Sequence, residues 1–388
     1  MSSAYNESLV YNLEVIKQSK RWFKHDFIEK PQLESILNAY PAPFYHPNLL
    51  IRVLLFVATL IALSGATGFF ALIIADTGKD AISIACIVYG IVSFFILEKL
   101  LIGNNHYKSG ITEAILYHSC GFTIGGLAGI TDFDNMHVVL WSCLIVFSFS
   151  AIRYLDFLCT VAATVSFAGI LFFELHNIGG IFQQIIPFVF IGGFTPIYFL
   201  VKKLKQRIDL RLWRNNLLIV ESISLLFIYA AGNYMVVREL SVSLMDVEIY
   251  DGGDIPFAFI FYSLTALIPL AYLYFGIMNK DIVLLRVSLI VLAFSAFTFK
   301  YYFSLGHPEI TLTLAGMILI GAAIALMRYL KTPRNGFTRE NIFSEKWGSM
   351  NVEAFVISQT VGGNQTNIEQ PDMPGGGASG GGGASSDF

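Results

Sequence analysis

The sequence is poor in charge. Of its 388 residues only 14% are Asp, Glu, Lys or Arg, against 55% hydrophobic, and the mean hydropathy is +0.63. Soluble globular chains carry roughly 25% charged residues, so a single water-facing domain is excluded. Strict alternation of apolar and polar residues is missing too, which excludes a membrane β-barrel. Cysteine is scarce: Cys86, Cys120, Cys143 and Cys159 all fall inside apolar runs, with no CxxC spacing among them. They read as small packing residues, not as a disulfide framework or a metal site. HExxH and the phosphate-cradling GxxxxGK[ST] are absent, so neither enzymatic activity nor a cofactor is expected. Glu174, His176, His137 and His307 include metal-ligating types, but nothing in their spacing fixes a geometry, and no metal is expected. The net charge of −3 says little, because in a membrane protein the placement of charge matters more than its sum.

What the chain has instead is long apolar blocks. A bilayer core of about 30 Å takes about 20 apolar residues in a helix, and backbone groups in lipid must pair internally. Spans are expected at Val53 to Ala75, Ala81 to Leu97, Ile111 to Ile130, Val138 to Ile152, Phe157 to Phe173, Ile181 to Val201, Leu217 to Val237, Phe257 to Ile277, Ile282 to Phe299 and Ile310 to Met327. The fourth is short. Arg153-Tyr154-Leu155-Asp156 separates it from the fifth, and its two charges argue against one continuous helix there. The fold class is therefore all-α, a polytopic transmembrane helical bundle of about ten spans. A cytosolic helical segment is expected over residues 1–48, the bundle over 49–330, and a cytosolic tail over 331–388 that is Gly-rich and disordered from about 362. In the first segment, Leu9, Leu13, Ile16 and Phe23 have near-helical spacing, and Pro31 opens a second short helix. Two such helices are too little for a core of their own and are expected to pack on each other, on the membrane surface or on a protein partner. The first apolar run begins near Val53, so the first span is expected to act as the targeting signal.

Lysine and arginine set the direction, since cytoplasmic loops carry the excess. With the N-terminus inside, 22 of the 25 basic residues fall in the cytosol, and only Lys79, Arg238 and Lys300 outside. The outer loops are acidic, with Asp132, Asp134, Asp246, Glu248, Asp251 and Asp254. Both termini are therefore expected in the cytosol.

Ionisable residues within spans cost about 2.5–3.5 kcal/mol on insertion scales. Glu113 and His118 in the third span, Glu221 in the seventh and Arg286 in the ninth lie within about two turns of the cytoplasmic ends of their helices. Arg286 pairing with Glu221 or Glu113 would make a polar layer, with His118 one step deeper and able to titrate near neutral pH. The competing reading is structural: Arg286 snorkels, Glu113 sits in a first turn where the helix dipole favours an anion, and the rest are static pairs. Gly121, Gly125 and Gly129 form a tandem small-xxx-small pattern expected to seat a neighbouring helix. Pro187, Gly192, Gly193 and Pro196 weaken the sixth span, and Ser64-Gly65-Ala66-Thr67-Gly68 the first. Such interruptions suit a transporter with a midplane site, although the two halves show no residue-level repeat. Between the sixth and seventh spans, Lys202, Lys203, Lys205, Arg207, Arg211 and Arg214 alternate with Leu204, Ile208, Leu212 and Trp213. This pattern suggests a helix lying at the cytoplasmic interface against anionic lipids, and not a nucleic-acid site.

The run Trp22-Phe23-Lys24-His25-Asp26-Phe27-Ile28-Glu29-Lys30-Pro31-Gln32-Leu33-Glu34-Ser35-Ile36-Leu37-Asn38-Ala39-Tyr40, followed by a first span rich in small residues, resembles bacterial membrane proteins catalogued as domain of unknown function 2157. The likeness covers roughly the first 75 residues. It implies a bacterial cytoplasmic membrane and transfers no catalytic residue. Two functions stand side by side: a non-enzymatic scaffold or regulatory component acting through its head or tail, and a secondary transporter or ion path using the polar layer.

Overall fold

A computed structural model describes residues 3–244 and 253–302, with isolated positions between 313 and 331. Among the described residues there are twelve α-helices. The head consists of α1 (Glu7–Lys24), capped by the Asn6 side chain, and α2 (Lys30–Ala39), with Pro31 in its first turn. The bundle follows with α3 (Leu49–Ile74), α4 (Lys79–Ile96), α5 (Ile111–Gly129), α6 (Met136–Tyr154), α7 (Phe157–Ile178), α8 (Ile181–Leu204) and α9 (Arg214–Gly232). It closes with α10 (Tyr234–Leu244), α11 (Ala258–Met278) and α12 (Ile282–Tyr302). Among the described residues, eight helices are long and apolar enough to cross a membrane, and α5 is not one of them. Its 19 residues carry Glu113, His118 and four glycines, which dilute the apolar content. Of the tenth expected span, Ile310 to Met327, only isolated positions are described, and the tail from 332 lies outside the described residues.

Successive helices pair as hairpins, α4 with α5, α6 with α7, α8 with α9 and α11 with α12. Small residues set the tightest of these. A Cβ on Gly90 of α4 would come within 2.8 Å of the Thr123 backbone nitrogen, and one on Gly126 of α5 within 2.6 Å of the Ser83 carbonyl oxygen. Gly129 meets Ser83 as expected, but Gly121 and Gly125 have open space beside them. The contact stripe is thus Gly126 and Gly129 against Ser83, one helical face away from the one the glycine spacing suggested. Lys79 at the start of α4 pairs with Asp132 just past α5 at 2.5 Å, so α5 runs antiparallel along the whole of α4.

The break between the fourth and fifth spans falls where the charges placed it. Leu155 takes a left-handed φ of 54°, and the Asp156 carboxylate accepts from the Cys159 amide at 2.9 Å to start α7. The seventh expected span is not continuous. Asn233 is extended, with φ −84° and ψ 124°, and its side-chain oxygen accepts from the Val236 amide at 3.2 Å, opening α10. The first and sixth spans, expected to be interrupted, run unbroken as α3 and α8, with Pro187 and Pro196 inside α8. Nor is there one interface helix between α8 and α9: Lys202 and Lys203 belong to the last turn of α8, and Ile208–Trp213 is a separate 3-10 turn.

The head is not loose on the surface. Its buried Tyr5 and Val10 pack with Tyr107 and Leu155, and Leu13, Phe44, Leu212 and Trp213 border them. The Ala4 amide donates to the Arg153 carbonyl at 2.8 Å, the backbones of Tyr45 and Tyr107 pair, and Arg211 lies 4.2 Å over the Tyr11 ring. The loops after α4, α6 and α8 therefore share one end of the bundle with α1 and α2.

Candidate functional site: a charged layer under the head

Helix starts and ends at this end bring ionisable side chains together. Glu113 sits in the first turn of α5, where its Oε2 accepts from the Gly110 amide and the Thr112 hydroxyl, each at 2.8 Å. Its Oε1 pairs with Arg52 of α3. Gly110 must be glycine: its φ is +89°, and an added Cβ would collide with the Arg52 carbonyl. Beside this pair, Arg153 donates through Nε and Nη2 to the two oxygens of Glu98 at 2.8 and 3.1 Å, a bidentate geometry. The Tyr154 hydroxyl donates to Glu98 at 3.2 Å, and Asp156 accepts from the Tyr117 hydroxyl at 3.0 Å. Tyr5, Lys108, Thr112, Glu113, Tyr154 and Asp156 enclose a cavity of about 10 Å³, close to the smallest void that admits one water. Burial holds the Lys108 ammonium below the usual lysine range, with Arg52 and Lys17 adding to the depression against Asp156 and Glu113. Burial likewise raises the Tyr5 phenol well above its ordinary value.

A second group joins α8, α9 and α12. Tyr198 and Lys202 lie on one face of α8, and Lys205 caps its end. Lys202 bonds the Tyr198 hydroxyl at 3.2 Å and pairs at 2.9 Å with Asp281, which caps α12. Lys205 pairs with Oε2 of the fully buried Glu221, whose Oε1 has no hydrogen-bond partner among the described residues. Burial pushes the Asp281 carboxyl up, but the Lys202 ammonium and the α12 amides outweigh it and hold the group below the ordinary aspartate value.

The structure thus brings Glu113 and Glu221 into ion pairs, but with partners other than the expected one. Arg286 is exposed on α12 and makes no ion pair among the described residues. The cations that took its place come from the helix neighbouring each carboxylate in space. Of the basic run after α8, Lys202, Lys205 and Arg211 face protein groups, and Arg207 pairs with Asp209 at 3.0 Å. Lys203 and Arg214 remain exposed. His118 lies five residues beyond Glu113, about 7.5 Å further along the helix. Its Nε2 is 3.3 Å from both the Thr67 and Tyr89 hydroxyls. It borders a shallow cleft of about 390 Å³ with Gly121, Gly125 and Ser83. Gly192 faces open space, Gly193 only grazes Leu171, and Pro196 lies within unbroken α8. Pro187 lines an apolar cavity of about 180 Å³ with Phe172, Phe190 and Val237. Among the described residues, the cavity beside Pro187 has an almost wholly apolar wall.

At the opposite end, Asp254 accepts from the Tyr234 and Tyr262 hydroxyls at 2.7 and 2.8 Å and lies 3.6 Å from Arg238. Asp246, Glu248 and Asp251 lie outside the described residues. His137 pairs with Glu174 at 2.8 Å, while His176 stacks on Phe172. Among the described residues no three His, Cys, Asp or Glu side chains gather as a metal site, and His307 is not among them.

Sequence reasoning missed Asn216 and the α9–α10 junction. Asn216 is buried and donates to the Ala151 carbonyl at 2.9 Å and to Thr160 Oγ1 at 2.7 Å, tying α9 to α6 and α7. At the junction, Asn233 donates to the Tyr229 and Thr298 hydroxyls at 2.8 and 3.0 Å. An amide beside Gly232, in an apolar run, was the available signal. Long apolar helices paired in hairpins, with their ionisable groups matched at one end, define a multi-pass integral membrane protein. No family model, curated protein or solved structure matches the chain.

Proposed function

We propose that the protein is a non-enzymatic, multi-pass component of a bacterial cytoplasmic membrane that works as a scaffold or regulator through its cytosolic head and tail. The observation that carries this reading is the consumption of charge: Glu98, Glu113, Glu221 and Asp281 each hold a basic partner within the protein. The larger cavities along α8 are apolar, which does not favour a hydrophilic route inward from the charged layer. In this reading α5 counts as a crossing, both termini face the cytosol with the basic excess, and the residues after 302 add a tenth span. The bacterial assignment rests on the head's resemblance to the uncharacterised membrane family.

A transport reading keeps support from the cleft at His118 and, separately, from the bare Oε1 of Glu221. Reconstitution separates the two. Purified protein in liposomes is expected to give proton and alkali-cation fluxes equal to those of empty vesicles. A flux that Glu221→Gln or His118→Ala abolishes would replace the scaffold with an ion pathway.

A further inference from the structure

At the end of the bundle that carries the head, three cations surround the strap that joins α2 to α3. Lys17 lies two turns after Val10 on α1, on the face that packs Val10 and Leu13 towards Tyr107. Lys108 follows Tyr107 directly, with its ammonium 5.6 Å from the centre of that ring. Arg52 stands in the first turn of α3, and its side chain reaches Glu113 at the start of α5. His46, with Nδ1 3.0 Å from the Tyr107 carbonyl oxygen, sits among them. The charged groups that act on its imidazole are Lys17, Arg52 and Lys108, with no carboxylate among the described residues.

The acceptors around this group are already engaged. Oε1 of Glu113 pairs with Arg52, and Oε2 accepts from the Gly110 amide and the Thr112 hydroxyl. Asp156 accepts from the Cys159 amide and the Tyr117 hydroxyl. Glu14, which acts on Lys17, lies 3.7 Å from Arg211. The donors are in surplus. Lys17 is exposed, and neither it nor Lys108 forms an ion pair among the described residues. Asn48 caps α3 by accepting from the Ile51 amide at 3.0 Å through Oδ1, while its enclosed Nδ2 has no hydrogen-bond partner among the described residues. A buried donor left in that state costs free energy until an acceptor meets it. Spare donors and cations at the start of a helix fit one chemistry, a small anion with several acceptor oxygens.

We propose that Lys17, Arg52, Lys108 and the Asn48 amide form a binding site for a phosphate group beside His46. Each cation supplies a charge-assisted hydrogen bond to a phosphate oxygen, and the start of α3 adds the positive end of its dipole. Leu49, Val53 and Leu54 in the first turns of α3 are 62, 51 and 61% exposed, so the apolar surface of the bundle begins at this level. The phosphate is therefore carried either by a solute or by a lipid headgroup, and the recognition chemistry is the same.

The full chain, labelled at histidine and purified in a nonionic detergent, is titrated with inorganic phosphate at constant ionic strength. A second arm places it in phosphatidylcholine nanodiscs with and without phosphatidylglycerol. An anion beside His46 favours the protonated imidazole, so at least one probe is expected to raise the midpoint of the His46 NMR titration, where chloride does not. Lys17→Gln and Lys108→Gln are each expected to raise the half-saturating level of that probe about fivefold. Lys203→Gln, a basic residue at the end of α8, is expected to leave it unchanged. A response to inorganic phosphate alone assigns the site to a solute, and one to phosphatidylglycerol alone assigns it to a lipid. Should Lys108→Gln not fold, Lys17→Gln on the exposed surface of α1 carries the test. A midpoint that neither probe moves, or a shift that either folded lysine variant leaves at wild-type strength, would overturn the assignment.

Discussion

Glu221 is wholly enclosed and its charge is answered by the single ammonium of Lys205. Removing one member of such a pair leaves an uncompensated charge away from water, which costs about 3–5 kcal/mol. Lys205→Met is therefore expected to lower the melting temperature in detergent sharply, and adding Glu221→Gln is expected to recover most of the loss. No recovery in the double variant would show that the two side chains act separately. Arg52→Met should cost less, because Glu113 keeps the Gly110 amide and the Thr112 hydroxyl as donors. The carboxylates themselves were legible in the sequence as buried charges; their partners were not. Pairing Glu113 with Arg52 takes knowledge of which helices touch. Lys205 looked like part of a lipid-facing cluster because a run of basic residues says nothing about which of them turns inward.

Helices are set by apolar length, and this scale was the most readable: eight of the ten expected spans each coincide with one helix, the seventh is divided between α9 and α10, and of the tenth only isolated positions are described. What failed was the local detail that apolar length conceals. Proline and glycine suggested breaks in α3 and α8, yet both continue as helices through these residues, which membrane helices tolerate. The real interruption, Gly232-Asn233, sits in a run apolar enough to pass for one span. Small residues were similarly half-read, since spacing identifies a stripe but not which stripe faces a neighbour. The difference can be measured. Gly126→Leu places a side chain against the Ser83 carbonyl and Ile87, and is expected to splay the α4–α5 hairpin and lower folded yield. Gly121→Leu points into open space and is expected to leave thermal stability close to wild type. Equal damage from both would refute the assigned contact face.

For the molecule as a whole, the question is how firmly the head holds. His46 lies in the strap between α2 and α3, its Nδ1 at 3.0 Å from the Tyr107 carbonyl oxygen. Burial lowers its pKa below the usual value, Lys17 of α1, Arg52 of α3 and Lys108 lower it further, and the Tyr107 carbonyl only partly opposes them. A free imidazole titrates near 6.5. Above that pH the docked and undocked forms are both neutral and the contact has its full strength. As pH falls from about 6.5 towards the lower docked value, the undocked form takes up protons first, and docking weakens. Amide exchange of residues 3–24 is therefore expected to quicken between pH 7.5 and 5.5, beyond the intrinsic pH effect, and His46→Asn should remove the extra change. The head enters the bundle through α3, which buries none of its residues. Polar contacts to α5 fasten it at two heights, an ionic latch at Arg52 and Glu113 and an uncharged one at Thr67 and His118. Arg52 is one-third exposed, so concentrated salt screens the first latch and spares the second. Ionic strength thus loosens α3 at its head end and spares the contact further along, as when a door has one hinge undone.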